Sequence, residues 1–240
     1  EPGRVLDLTP PGAEPHDVEL GSSQVTAVRD AELVLYLGRG FQPGLEQVVA
    51  ERDGPSLDLL SGQRLLSGDG RMADPHVWLD PTRLATMVTR VGTRLDAAGA
   101  AAGLAARLTE LDREFRDGLA DCRRREIVTS HAAFGYLADR YDLQQVALAG
   151  ITPESEPSPA DLAALVERIE AIGATTIFFE TLVSPRLAET VAREVGVEAA
   201  VLNPVEGLTA AQAAAGDDYF SLMRDNLTAL RRALECGSLK

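Results

Sequence analysis

His16, His76 and His131 are the only histidines in the chain, and they are where its chemistry is most readily sought. A neutral imidazole nitrogen is a ligand for divalent transition metals, so three imidazoles held together would make most of a metal site. Taken singly, each is as well explained by a loop residue that meets water or hydrogen-bonds to backbone. Their placement argues for the set. Pro15 and Pro75 directly precede two of them and stiffen the backbone there. His131 directly follows the strand-like Ile-Val-Thr-Ser, while Glu180 and Glu206 come after apolar runs of strand type. Three imidazoles and a carboxylate suit four-coordinate Zn²⁺. A Mn²⁺ site is expected to carry more oxygen.

The elements that must position these residues alternate between strand and helix. Arg4–Leu8 reads as a short strand, residues 25–29 as a helical stretch, residues 33–38 as a buried strand and residues 43–51 as a helix. Residues 61–75 form a polar loop. Asp80 can cap the next helix with Pro81 in its first turn, and Leu84, Met87, Val88, Val91 and Leu95 fall on one face. A second long helix carries Leu104, Leu108, Leu111, Phe115 and Leu119 on one stripe and runs to Cys122. The second half repeats the alternation. Strands are expected at 127–130, 176–179 and 197–202. Helices are expected to open at His131, at the Ser158-Pro159-Ala160-Asp161 cap and at Ser184-Pro185, with a closing helix over 219–234. This pattern gives an α/β fold of two lobes, each a mostly parallel sheet flanked by helices. The partition is an N-terminal lobe over 1–98, a long rigid linker helix over 99–121 and a C-terminal lobe over 122–240. In open parallel sheets ligands bind beyond the carboxyl ends of strands, and topology brings the candidate residues to those edges.

Composition narrows the function classes. The 240 residues carry a formal net charge of −14, which disfavours nucleic acid because phosphate binding needs clustered basic residues. No apolar run approaches the roughly 18 residues that span a bilayer. No basic-then-apolar leader opens the sequence, so any export signal is trimmed from it or was never included. Cys122 and Cys236 match no CxxC motif. They are two buried thiols in a cytosolic protein and a disulfide in an exported one.

The motifs PPGAEPHDVEL, DPHVWLDP, SHAAFGYLADRYDL, GITPESEPSPADL and FFETLVSPRLAETVAREVG resemble those of the zinc- and manganese-binding solute-binding proteins of bacterial ABC importers. The resemblance runs from about Leu8 to Leu234. It implies two α/β lobes joined by a rigid helix with the metal between them, and His16, His76 and His131 in the three histidine ligand positions. Three histidines resemble the zinc branch; in the manganese branch a carboxylate replaces one of them. Where family members often supply an aspartate as fourth ligand, this chain reads Leu202-Asn203-Pro204. The LNPxE pattern resembles a zinc-binding subgroup in which the glutamate ligates, which selects Glu206, with Asn203, Glu180 or water as alternatives. The histidine-rich loop of many zinc members is absent from residues 61–73. The family would already have a strand and a helix before the first residue, so the N-terminus reads as truncated.

The function expected is therefore not enzymatic. It is extracytoplasmic capture of Zn²⁺, in the periplasm or at the cell surface on a lipid anchor, by a monomer that delivers it to a membrane ABC permease with its cytoplasmic ATPase. A zinc hydrolase with an open three-histidine site and Glu180 or Glu206 as general base is the competing reading. A Mn²⁺-binding transport protein or an adhesin that keeps the metal site is another.

Overall fold

The computed structural model describes residues 5–68, 73–151 and 159–237. Its first half is built on a small parallel sheet, β1 (Val34–Tyr36) beside β2 (Ser56–Asp58), paired from Val34 with Ser56 to Tyr36 with Asp58. Helices α1 (Ser22–Asp30) and α2 (Pro43–Ala50) pack on it through Val28, Val34, Leu45 and Val49. Pro43 fits the first turn of α2, where its missing N–H costs no hydrogen bond. Gln24 of α1 donates to Leu8 O at 2.7 Å and so ties down the loop that leads to His16.

Helix α3 (Pro81–Arg94) starts as its sequence dictates: Asp80 Oδ1 accepts from the Thr82 N–H at 2.8 Å and from the Thr82 hydroxyl at 2.7 Å. It packs tightly on α4 (Ala98–Leu119), whose 22 residues span about 33 Å. A Cβ at Gly92 would meet Ala101 Cβ at 2.3 Å, so the crossing requires glycine there. The stripe of α4 turns out one turn longer than its leucines suggest. Ala101 is buried with Leu108, Leu111, Phe115 and Leu119, and Leu104 lies at the exposed margin.

The second half alternates strictly: β3 (Glu126–Thr129), α5 (Gly135–Tyr141), β4 (Gln144–Ala147), α6 (Pro159–Ile172), β5 (Thr176–Phe179), α7 (Arg186–Val195) and β6 (Glu198–Val201). The four strands run parallel in the order β4-β3-β5-β6. Val128, Val146, Ile169, Ile177 and Val191 fill one face of this sheet. Two further helices, α8 (Ala210–Ala215) and α9 (Tyr219–Ala233), follow. The main core crosses the whole molecule. One continuous cluster joins Phe41, Leu60 and Trp78 of the first half through Leu108, Leu111 and Phe115 of α4 to Phe134, Phe178 and Leu202 of the second, and on to Phe220 and Leu230 of α9. The Cys122–Cys236 disulfide ties the chain beyond α4 to the chain beyond α9.

The α/β architecture matches expectation; several local readings do not. Val5–Leu8 form no strand, and Val5 and Leu6 are 92% and 52% exposed. Strand propensity is realised only against a partner edge, and among the described residues none pairs with this segment; Arg4 lies outside them. His131 does not open a helix: residues 131–134 turn first, and α5 begins at Gly135. Ser158, the expected cap of α6, lies outside the described residues.

Candidate metal centre

The first two histidines share a local design. Each is the third residue of an acid–Pro–His tripeptide whose acid accepts the histidine's own backbone N–H, from His16 to Glu14 Oε1 at 3.2 Å and from His76 to Asp74 Oδ1 at 2.9 Å. For Asp74 this is the two-residue side-chain turn that short acids favour, and Glu14 makes the same bond with a longer arm. His16 lies on a 3-10 turn (Pro15–Asp17), steadied by Gln42 Nε2 donating to Pro15 O at 2.9 Å and by the Phe41 ring, edge-on at 4.8 Å. His76 precedes a second 3-10 turn (Val77–Leu79). That turn is held to the other half of the chain by Trp78 Nε1 donating to Pro204 O and by Tyr219 Oη donating to Trp78 O, both at 2.7 Å.

His131 stands two residues beyond β3, where the sheet ends and polar groups can gather. Its carbonyl accepts from Thr129 Oγ1 at 2.7 Å and from Gln145 Nε2 at 3.0 Å. Glu206 lies in the loop after β6. Asn226 of α9 brackets this loop by accepting from Asn203 N at 2.8 Å and donating to Asn203 O at 2.7 Å. Asn203 Oδ1 in turn accepts from Val205 N at 2.7 Å. Val205 is thereby held at φ 56°, in the left-handed region that a β-branched residue rarely adopts.

These four side chains converge. The ring centroids of His16, His76 and His131 lie 5.3 to 6.1 Å apart. Glu206 Oε1 is 2.7 Å from His76 Nε2, 3.4 Å from His16 Nε2 and 3.8 Å from His131 Nε2. One ligand atom from each of the four residues lies within 4.8 Å of the others. Two donors about 2.0–2.1 Å from a tetrahedral ion would stand about 3.3 Å apart, so the observed spacings straddle what Zn²⁺ requires. The 2.7 Å approach lacks hydrogen-bond alignment. All three Nε2 atoms and both Glu206 oxygens are buried with no hydrogen-bond partner among the described residues. Buried polar atoms are rarely left this way, and five orphans around one point are what a cation would satisfy.

Two of the three remaining ring nitrogens are committed. His76 Nδ1 lies 2.7 Å from Asp74 Oδ1. His131 Nδ1 meets Glu180 Oε1, which also accepts from Ser130 Oγ. A carboxylate at Nδ1 fixes the proton there and turns the Nε2 lone pair toward the centre. Charge points the same way. With neutral imidazoles, Asp74, Glu180 and Glu206 would leave three negative charges nearly out of water, and buried charge must be balanced. In the metal-free protein protons supply the balance. Burial pushes the His131 imidazolium toward losing its proton, but Glu180 and Glu206 outweigh it and raise the pKa to about 10. His76 is raised against the same burial by Asp74 and Glu206. Burial would raise Glu206, yet His131, His16 and His76 hold it well below the ordinary carboxylate value.

Residues 3–233 match the family model for the zinc-uptake complex component A, periplasmic (ZnuA). The chain belongs to the ZnuA family. Among similar proteins, the zinc-binding protein AdcA of Streptococcus pyogenes serotype M1 is 33% identical over 264 residues, which cover 95% of this chain and 51% of that protein. The high-affinity zinc uptake system protein ZnuA of Bacillus subtilis strain 168 is 30% identical over 258 residues, 97% of this chain and 81% of that protein. The chain thus spans about half the length of the AdcA proteins it matches. The crystal structure of the Zn(II)-bound ZnuA-like domain of Streptococcus pneumoniae AdcA superposes with a TM-score of 0.80 at 34% identity, covering 95% of this chain and 89% of that one.

In this ZnuA-family chain the expected residues divide by position. His16, His76, His131 and Glu206 meet at the centre. Glu180 stands behind His131, and Asn203 shapes the loop that presents Glu206. Sequence reading passed over Asp74. Its signal was the acid two residues before a histidine with proline between them.

Proposed function

We propose that this chain captures Zn²⁺ outside the cytoplasm, holds it on His16, His76, His131 and Glu206, and hands it as a monomer to a membrane ABC permease driven by a cytoplasmic ATPase. The observation that carries the reading is the convergence of three orphaned Nε2 atoms on a buried, orphaned carboxylate. Three nitrogens and one oxygen favour zinc over manganese. Four protein donors fill a tetrahedral shell and leave no position for a reactive water, which supports transport and not hydrolysis. The zinc-uptake relatives support the cargo, and a periplasmic family model with a lipoprotein relative supports the location. We further infer lobes over 1–98 and 122–240 with residues 99–121 as the rigid connection, a reading supported by α4 packing on α3, α5 and α9.

Isothermal calorimetry and elemental analysis of the untagged protein test the proposal. One tightly bound Zn²⁺ per chain is expected. A chain that binds Mn²⁺ more tightly than Zn²⁺, or that takes up neither, would remove it.

A further inference from the structure

We propose that Gly135 and Tyr136 are positioning residues of this centre: together they seat Asp74 and so fix the spacing between His76 and His131. The proposal rests on the metal reading above. Tyr136 is buried, and its hydroxyl donates to Asp74 O at 2.8 Å while accepting from Leu66 N at 2.9 Å. Those two groups, at residues 66 and 74, lie side by side and form a neck. Asp74 N donates to Leu66 O at 3.1 Å, and Ser67 bridges to Ala73 in antiparallel fashion. A single phenol from α5 therefore pins both sides of the neck, reaching 62 and 70 residues back along the chain. The Arg83 guanidinium, 4.7 Å from the ring centroid, packs over the ring.

Gly135 supplies the other wall of the seat. A Cβ there would stand 2.8 Å from Asp74 Oδ2. The carboxylate cannot swing aside cheaply, because Oδ1 is held by the backbone N–H and Nδ1 of His76. Glycine at 135 thus serves a close approach and not a turn. His131 lies four residues before Gly135 on the same segment. The path from one imidazole to the other is short: the chain from 131 to 136, one hydrogen bond to Asp74, then Pro75 to His76. Two donors are thereby gauged against each other by contacts that need no metal. A fixed gap suits an ion with bonds of about 2.0–2.1 Å and penalises one needing about 2.3–2.6 Å.

Y136F removes only the hydroxyl, and G135A adds only a methyl against Asp74. Y141F is the control, since Tyr141 shares α5 with Tyr136 and its hydroxyl donates to Asp112 Oδ1 of α4 at 3.2 Å, away from the centre. Zn²⁺ affinity by chelator competition, the visible spectrum of the Co²⁺-loaded protein and melting of the metal-free protein are measured for each. Y136F and G135A should each lose about 10- to 100-fold in Zn²⁺ affinity and shift the Co²⁺ bands. Y141F should lower the melting temperature and leave affinity and spectrum unchanged. Wild-type affinity and spectrum in both Y136F and G135A would overturn the proposal, as would an equal affinity loss in Y141F. Should Y136F fail to fold, G135A decides alone. A wild-type chain that binds no zinc would overturn the metal reading itself, whereas tight wild-type binding with unaffected variants overturns only this inference.

Discussion

Glu206 and Glu180 both approach His131, one at Nε2 and the other at Nδ1, and replacing each by alanine separates a metal ligand from a group that orients one. Structural zinc sites with four donors bind with roughly 10–16 kcal/mol of apparent free energy. An even share is about 2.5–4 kcal/mol per donor, or about 10²- to 10³-fold in affinity. Glu206 sits within 3.8 Å of every Nε2, so Glu206→Ala should lose the full donor share. Among the described residues Glu180 meets only Nδ1 of one ring and Ser130 Oγ, so Glu180→Ala should lose the smaller amount typical of outer hydrogen-bond partners, about 10- to 100-fold. Competition against a zinc-chelating indicator at fixed neutral pH reads both losses on one scale. Glu206→Ala should be the weaker binder by about tenfold. Equal losses, or a greater loss at Glu180, would refute the assignment of donor and orienting group.

Other perturbations follow from the same geometry. His76→Ala removes a wholly buried imidazole and should weaken Zn²⁺ by orders of magnitude in calorimetry; unchanged affinity would sink the site. The metal-free protein should lose stability as pH rises from 6.5 toward about 10, because the raised His131 pKa contributes fully below 6.5 and is lost as the folded group deprotonates. Glu206, held below its ordinary 4.5, adds the opposite loss as pH falls beneath that value. Melting curves across pH, with and without zinc, should show this decline at alkaline pH only in the metal-free form, and acid should release the metal. Reducing Cys122–Cys236, 114 residues apart, should cost about 4–5 kcal/mol in the chain-entropy model. Denaturant titration of a Cys122→Ser, Cys236→Ser double variant checks that value.

Much of the candidate centre could be read because histidine is rare in this chain and His131, Glu180 and Glu206 come after strand-like runs. The α3 cap at Asp80 and the β5 run could be read for similar reasons, each being a local signal, whereas the Cys122–Cys236 disulfide followed only from reading the chain as exported. What stayed hidden depends on partners far along the chain. β2 is three residues containing Ser56 and Asp58, and β4 opens with two glutamines; only pairing makes them strands. Val5–Leu8 shows the converse, apolar alternation without an edge to meet. Glu180 was visible as a strand-end acid, but whether it binds the metal or steers His131 is decided by which ring nitrogen it faces. Tyr136 reads as core in any sequence window, since nothing local reveals that its hydroxyl ends on Asp74.

The continuous core through α4 bears on cooperativity. Phe41, Trp78, Phe115, Phe178 and Phe220 belong to one packed body, so melting either half wets part of the interior that the other shares with it. Calorimetric unfolding should therefore be a single transition, and fragments cut on either side of α4 should not hold native structure alone. Zinc held as proposed would then stabilise the packed body as a whole, by RT ln(1 + [Zn²⁺]/Kd). Occupancy of one small site is thus written into the melting point of the entire chain.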